Sequence, residues 1–243
     1  LRGDVGTDLI HAGVSGLLVP RVVEAAIVVL LAGAVGLLAD LVGSTPWPDT
    51  WPLVVQLILA ILVSQFFEYW FHRLSHTVPL LWRLHATHHS PARLYWLNAS
   101  RFHPLDTAGS VALSFGSVTL LGANEDVLLV MAIWIGVHGV FQHCNIHLRL
   151  GPLNWIFSMA ELHRWHHSLR IEEANNNYGN NILFWDIVFG TVYWPRDRRA
   201  DSNIGLDNMS WFPTGYLGQL LSPVLWQESP AETKEPSTTA SAQ

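Results

Sequence analysis

The sequence predicts an all-α integral membrane protein with about four transmembrane helices, arranged as two hairpins beneath a cytoplasmic helical cap. Three observations carry this. Of the 243 residues, 50% are hydrophobic and 13% charged, against about 25% charged in an ordinary soluble domain. Four apolar runs are joined in pairs by short polar turns. The 13 Lys and Arg residues all fall on one side of those turns.

The first run, residues 22–42, would extend about 31 Å as a helix, enough to span a bilayer. The second, residues 52–71, follows the Pro-rich connection GSTPWPDTWP, in which Trp47 and Trp51 lie at interface depth. Runs three and four, residues 107–121 and 126–142, flank the turn GANED. They are shorter, and a buried or re-entrant pair is the alternative for them. The two short connections carry Asp49, Glu125 and Asp126 but no Lys or Arg, so the positive-inside rule puts the remaining loops and both termini in the cytoplasm. No secretory signal is evident at the N-terminus, and a start at Leu1 suggests a fragment. From Gln227 the tail lacks aromatic and large aliphatic residues and is expected to be disordered. The chain thus divides into an N-terminal segment with the first transmembrane helix (1–51), a main unit (52–226) and a tail (227–243).

A formal charge of −6 argues against nucleic acid as a partner. The single cysteine, Cys144, excludes a disulfide framework and a Cys-rich zinc site; it is read as packing. The 13 histidines are the anomaly, and ten of them form four boxes: HRLSH (His72, His76), HATHH (His85, His88, His89), HCNIH (His143, His147) and HRWHH (His163, His166, His167). On a helix, offsets of three and four residues put the rings on one face, where each box aims at a common point. All four boxes follow apolar runs on the cytoplasmic side. Imidazole suits zinc, copper, iron and nickel. Ten ligands are too many for one ion, so two metals with about five each are implied.

These boxes, in this order and interleaved with apolar hairpins, resemble the fatty acid hydroxylase and sterol desaturase superfamily of membrane di-iron oxygenases. RFHPLD at residues 101–106 is similar to its Arg-x-His-Pro-x-Glu element, with Asp106 replacing Glu. NNYGNNILFWDIVFGT at residues 176–191 is similar to its Asn-Tyr-Gly, Trp-Asp and Phe-Gly-Thr signature. The resemblance covers roughly residues 52–195, making 52–226 a fatty acid hydroxylase-like catalytic domain. It implies two iron ions, with zinc as a possible substitute, held by the ten box histidines. It further implies O2, a membrane lipid substrate that is hydroxylated or desaturated, and an active site on the cytoplasmic face. No nucleotide fingerprint or iron–sulfur spacing is present, so a separate ferredoxin or b-type cytochrome with its reductase must supply electrons. The cluster Arg196, Arg198 and Arg199 is a candidate dock for it.

Candidates to fix the imidazole tautomers are Glu68, one turn before His72, then Asp106, Glu161, Asn181 and Asp186. His103 is a water-mediated metal neighbour, a lipid-headgroup contact or, before Pro104, the closure of a turn. His138 lies off the His143 face and reads as a core histidine, while His11 reads as incidental. Trp70, Trp82, Trp96, Trp155 and Trp165 flank the boxes, where interfacial anchoring is the commoner role and lining a substrate tunnel the alternative. Two further classes remain: a membrane metal-binding or transport protein, whose ligands belong near midplane, and a two-zinc lipid hydrolase, which would want bridging carboxylates that the boxes lack.

Overall fold

A computed structural model describes residues 4–43, 45–146, 148–200, 204–207 and 209–227. His147 and all of the expected disordered tail beyond Gln227 lie outside the described residues. The architecture is helical, with no strand among the described residues beyond two isolated bridges.

The first helix begins much earlier than the apolar run suggested. Helix α1 (Val5–Gly13) passes through a π-helical turn (Val14–Leu18) into α2 (Val19–Val42). A π turn absorbs an extra residue and is common at functional sites. Here it lets Ser15 donate to the Phe102 carbonyl at 2.6 Å while Gly16 lies against Ser100, whose Oγ would stand 2.6 Å from an added Cβ. After the Trp47 turn comes α3 (Leu53–Thr77), which carries the second apolar run and HRLSH without a break. Pro79 opens α4 (Pro79–His89), which ends in HATHH.

Helix α5 (Pro104–Leu120) is capped by the His103 side chain, which accepts from the Leu105 N–H. Asn124 caps α6 (Glu125–Gln142) in the same way, with Glu125 and Asp126 favourably placed in the first turn. Between α5 and α6, Gly122 adopts φ +89° with Thr45 packed against it. Four short helices follow: α7 (Ala160–His166), α8 (Ile171–Ala174), α9 (Phe184–Phe189) and α10 (Tyr216–Leu221).

Three helical stretches among the described residues are long and apolar enough to cross a membrane: Val5–Leu37, Leu53–Thr77 and Glu125–Gln142. Helix α5 has 17 residues and is shorter. It packs between α2 and α3, and α6 packs against α3 and also touches α5. The side-chain distribution is inverted relative to a water-soluble bundle. Val28, Val29 and Leu30 of α2, Val54 and Ile58 of α3, and Leu129 and Ile133 of α6 face outward, whereas Gln56, Ser64, Gln65 and Glu68 of α3 are buried. Polar groups turned inward and aliphatics turned outward fit a hydrocarbon solvent.

Candidate metal centre

Nine of the ten box histidines are described, and they form two clusters. His72, His76, His85, His89 and His166 make one; His88, His143, His163 and His167 make the other, and within each cluster the ligand atoms lie within 4.8 Å of one another. The boxes do not each serve one point, as the sequence suggested. In HATHH, His85 and His89 join the first cluster and His88 the second; in HRWHH, His163 and His167 join the second and His166 the first. Helical geometry explains the interleaving, because positions i and i+4 lie about 40° apart while i+3 falls on the opposite flank. HCNIH departs further from expectation. Helix α6 ends at Gln142 with His143 as its C-cap, so the helix does not continue through residues 144–146 of the box.

Both clusters have the donor chemistry a cation needs. In the first, all five Nε2 atoms are buried and lack a hydrogen-bond partner. Four of these rings are anchored through Nδ1: His72 on the Tyr178 carbonyl (2.7 Å), His76 on Asn175 Oδ1 (3.2 Å), His85 on Asp106 Oδ2 (2.9 Å) and His166 on the Asn176 carbonyl (2.9 Å). An Nδ1–H held by an acceptor leaves the Nε2 lone pair free and aimed inward, the arrangement metal-binding imidazoles need. In the second cluster the Nε2 atoms of His88 and His143 are 3.3 Å apart, those of His143 and His163 3.0 Å, and those of His163 and His167 2.9 Å. Bonds of about 2.1 Å to a common ion put neighbouring ligand nitrogens about 3.0–3.4 Å apart, so these spacings fit. Burial, reinforced by neighbouring imidazoles, holds His88, His89, His163 and His167 well below the ordinary imidazole pKa. Burial also takes His143 down to about 4 and His166 to about 3. These six rings are therefore neutral, the form that ligates.

One turn orients three of the five rings in the first cluster. Residues 175–178 supply Asn175 Oδ1, the Asn176 carbonyl and the Tyr178 carbonyl. Within it Asn177 takes φ +53°, a left-handed conformation that non-glycine residues adopt only when held there. Its carboxamide donates to the carbonyls of Leu162 and Tyr193 and accepts from the Tyr193 N–H. Asp186 closes the turn by accepting from the N–H groups of Tyr178 and Gly179, each at 2.8 Å. Burial raises its carboxyl to about 6, against the pull of these bonds and of Thr191. A Cβ on Gly179 would collide with the Ile182 carbonyl.

Of the expected tautomer-fixing residues, Asp106 alone bonds an imidazole. Asp186 acts through the turn. Glu68 accepts from Ser110 Oγ and Asn180 Nδ2 (2.8 and 2.6 Å), not from His72. Asn181 donates its N–H to Gln65 Oε1 and touches no imidazole. Glu161 accepts from Asn154 and Trp194, and His103 closes the start of α5 while its Nε2 meets the Leu220 carbonyl. His138 is the expected core histidine, bonded to the Ser158 carbonyl. His11, by contrast, is structural: fully buried, it bridges the Phe102 carbonyl (3.0 Å) and Gln219 Oε1 (2.9 Å). Cys144 bonds the Phe141 carbonyl. Trp47 and Trp165 are buried, Trp165 beneath Arg198, while Trp51, Trp96 and Trp155 are exposed.

Sequence reasoning missed the carbonyls of 175–178 and the role of Phe102. The Phe102 ring stacks on His88 at 3.9 Å and 8°, holding the one ring of the pair His85 and His88 whose Nδ1 has no partner. The run of asparagines before Tyr178 was the available signal for the turn.

A cavity of about 310 Å³ abuts both clusters, lined at its inner end by His72, His85, His88, His143 and His163. It continues between α5 and α6 past Val111, Phe115, Ala132 and Ile135, with Gly16 and Leu17 of the π turn as a further wall; among the described residues no tryptophan lines it. Replacing Asp106 by Ala should release the His85 ring. Loss of such an orienting partner costs about 10–100-fold in metal affinity, measurable by chelator competition, with Asp106→Glu or Asp106→Asn restoring part of it.

A model of the family described as fatty acid hydroxylase matches residues 57–191, more than half of the chain. An ornithine lipid hydroxylase of Rhizobium tropici is 42% identical over 177 residues, covering 73% of this chain and 53% of that protein. The alkylglycerol monooxygenase of Homo sapiens is 31% identical over 146 residues, 60% of this chain and 32% of that protein. Methylsterol monooxygenase 2-2 of Arabidopsis thaliana is 25% identical over 153 residues, 61% and 56% of the two chains. The chain thus spans about a third to just over half of these curated relatives. No solved structure matches it.

Proposed function

Because the chain belongs to the fatty acid hydroxylase family, we propose that it is a membrane-bound oxygenase that hydroxylates or desaturates a C–H bond of a lipid. The reading rests on one observation: nine imidazoles in two clusters, all-histidine among the described residues, at one end of an amphiphilic cavity. For hydroxylation the balance is one lipid C–H, one O2, two electrons and two protons giving one alcohol and one water. Two iron ions, the metal we assign to the clusters, would supply the redox chemistry that no side chain provides. All-nitrogen donor sets suit such a metal better than they suit calcium or magnesium. They also lack the bridging carboxylate of a two-zinc hydrolase. The tenth ligand in this proposal is His147, which lies outside the described residues.

The chain's own residues divide the work. Asp106 and the 175–178 turn hold four imidazoles in one tautomer; Phe102 fixes His88; α5 and α6 exclude water and align the lipid chain. The four-span topology, with α5 as the fourth span and the clusters on the cytoplasmic face, is proposed on the segregation of Lys and Arg. Residues 52–226 form the catalytic unit, and the N-terminal helices complete its cavity wall. Electrons are assigned to a separate ferredoxin or b-type cytochrome. Its dock is centred on Arg196 and Arg199, since Arg198 is paired with Glu173 at 2.7 Å.

The test is turnover of extracted membrane lipids under 18-O2 with a reductase system, comparing the native chain with His166→Ala. Label should enter lipid only with the native chain; equal labelling in both would refute the assignment.

A further inference from the structure

The cavity is polar at the histidine end, where, besides imidazole nitrogens, two buried side-chain oxygens have no hydrogen-bond partner, Thr107 Oγ1 and Asn181 Oδ1. Glu68 is 7% exposed in the middle of an apolar helix. Its oxygens accept from Ser110 and Asn180, and among the described residues no Lys or Arg is paired with it. The one Lys or Arg lining the cavity among those residues is Arg21, at the outer rim and paired with Glu24 at 3.0 Å. Next to Asn180, the side chain of Asn181 is 1% exposed, and its Oδ1 faces no hydrogen-bond donor. Glu68, Asn180 and Asn181 all line the cavity with His72. A carboxylate has about four acceptor sites, so both Glu68 and Asn181 retain acceptors, while the Ser110 hydroxyl and one N–H of the Asn180 amide are spent as donors on Glu68. Such a wall calls for a ligand rich in donors and positively charged, since an unpaired carboxylate in an apolar span is costly.

We propose that Glu68 and the Asn181 carboxamide oxygen form a headgroup subsite for the ammonium of a cationic or zwitterionic lipid. The lipid lies with its polar end at the histidines and its chain along Val111, Phe115 and Ile135, so the attacked C–H bond is close to the headgroup and not far along the tail. This inference rests on the oxygenase reading for its consequence, but its binding claim is separable. The alternative role for Glu68, balancing the charge of bound metal, is an outcome of the same test.

The probes are a lipid with a primary ammonium headgroup and the same lipid acetylated on that nitrogen, which removes the charge and keeps the chains. Binding is measured to zinc-loaded, redox-inert full chain, and turnover to iron-loaded chain. The native chain should prefer the ammonium lipid by about tenfold or more, the range of one charge-assisted contact. Glu68→Gln should bring that ratio to within about twofold with metal content unchanged, and Asn181→Ala should lower it in part. Product should be oxidised next to the headgroup. Equal binding of both lipids by the native chain would overturn the proposal without needing any variant. So would a Glu68→Gln variant that loses metal yet keeps its preference. Discriminating binding with no oxidised product from either lipid would leave the subsite standing and refute the oxygenase reading instead.

Discussion

Paired histidine replacements should empty one metal position or two according to cluster, regardless of which box they come from. His76→Ala with His85→Ala strikes the first cluster twice, across two boxes. His85→Ala with His88→Ala strikes both clusters within a single turn of α4. Each removed ligand weakens its ion by more than the roughly 10–100-fold that loss of an outer partner costs. The first variant should therefore purify with about half the native metal and the second with almost none, and neither should oxidise lipid. Plasma mass spectrometry on protein of matched folding, judged by gel filtration, reads the result. Equal metal loss in the two variants would mean that the boxes act as units and that the interleaving is wrong.

Arg101→Ala should cause the largest loss of stability from any single side chain. Arg101 is 2% exposed, and its guanidinium meets Asp8 Oδ1 at 2.9 Å. Asp8 is fully buried and also accepts from the Tyr95 hydroxyl (2.5 Å) and Asn98 Nδ2 (3.2 Å). Removing one partner of a buried pair strands the other charge, at a cost of about 3–5 kcal/mol. For a domain of 150–250 residues that corresponds to roughly 6–20 °C in melting temperature. Asp8→Asn with Arg101→Met, which removes both charges, should recover a large part of it. The damage should also reach the metal site. Arg101 adjoins Phe102, whose carbonyl is held by His11 and Ser15 and whose ring is stacked on His88. Thermal unfolding in detergent, followed by tryptophan fluorescence, measures the stability. A shift of less than 2 °C would show that α1 does not brace this loop.

Much of the fold was legible because lipid-facing helices advertise themselves by length and apolarity. The runs at 52–71 and 126–142 became α3 and α6 almost as read. The N-terminal helix was not, because α1 carries Asp8 and His11 and the π turn after it carries Ser15, polar residues that look like the end of a span but are buried partners of the loop 95–102. The histidines were legible as ligands because their offsets of three and four residues repeat. Their division between two centres was implicit in the same offsets, yet it needed the relative placement of α3, α4 and α7. Backbone acceptors cannot be read from side-chain identity. The carbonyls of Asn176 and Tyr178 orient His166 and His72, a role the sequence assigned to carboxylates and which only Asp106 performs. The residues of RFHPLD that looked like a motif each make a distinct contact, since Arg101 pairs with Asp8, His103 caps α5, and Asp106 holds His85.

The most direct test of the central claim, that the two clusters hold a redox-active iron pair, is the metal content of full chain purified anaerobically from iron-replete cells. The prediction is about two iron ions per chain, falling to about one in His76→Ala with His85→Ala. Zinc alone, with no iron under those conditions, would contradict it.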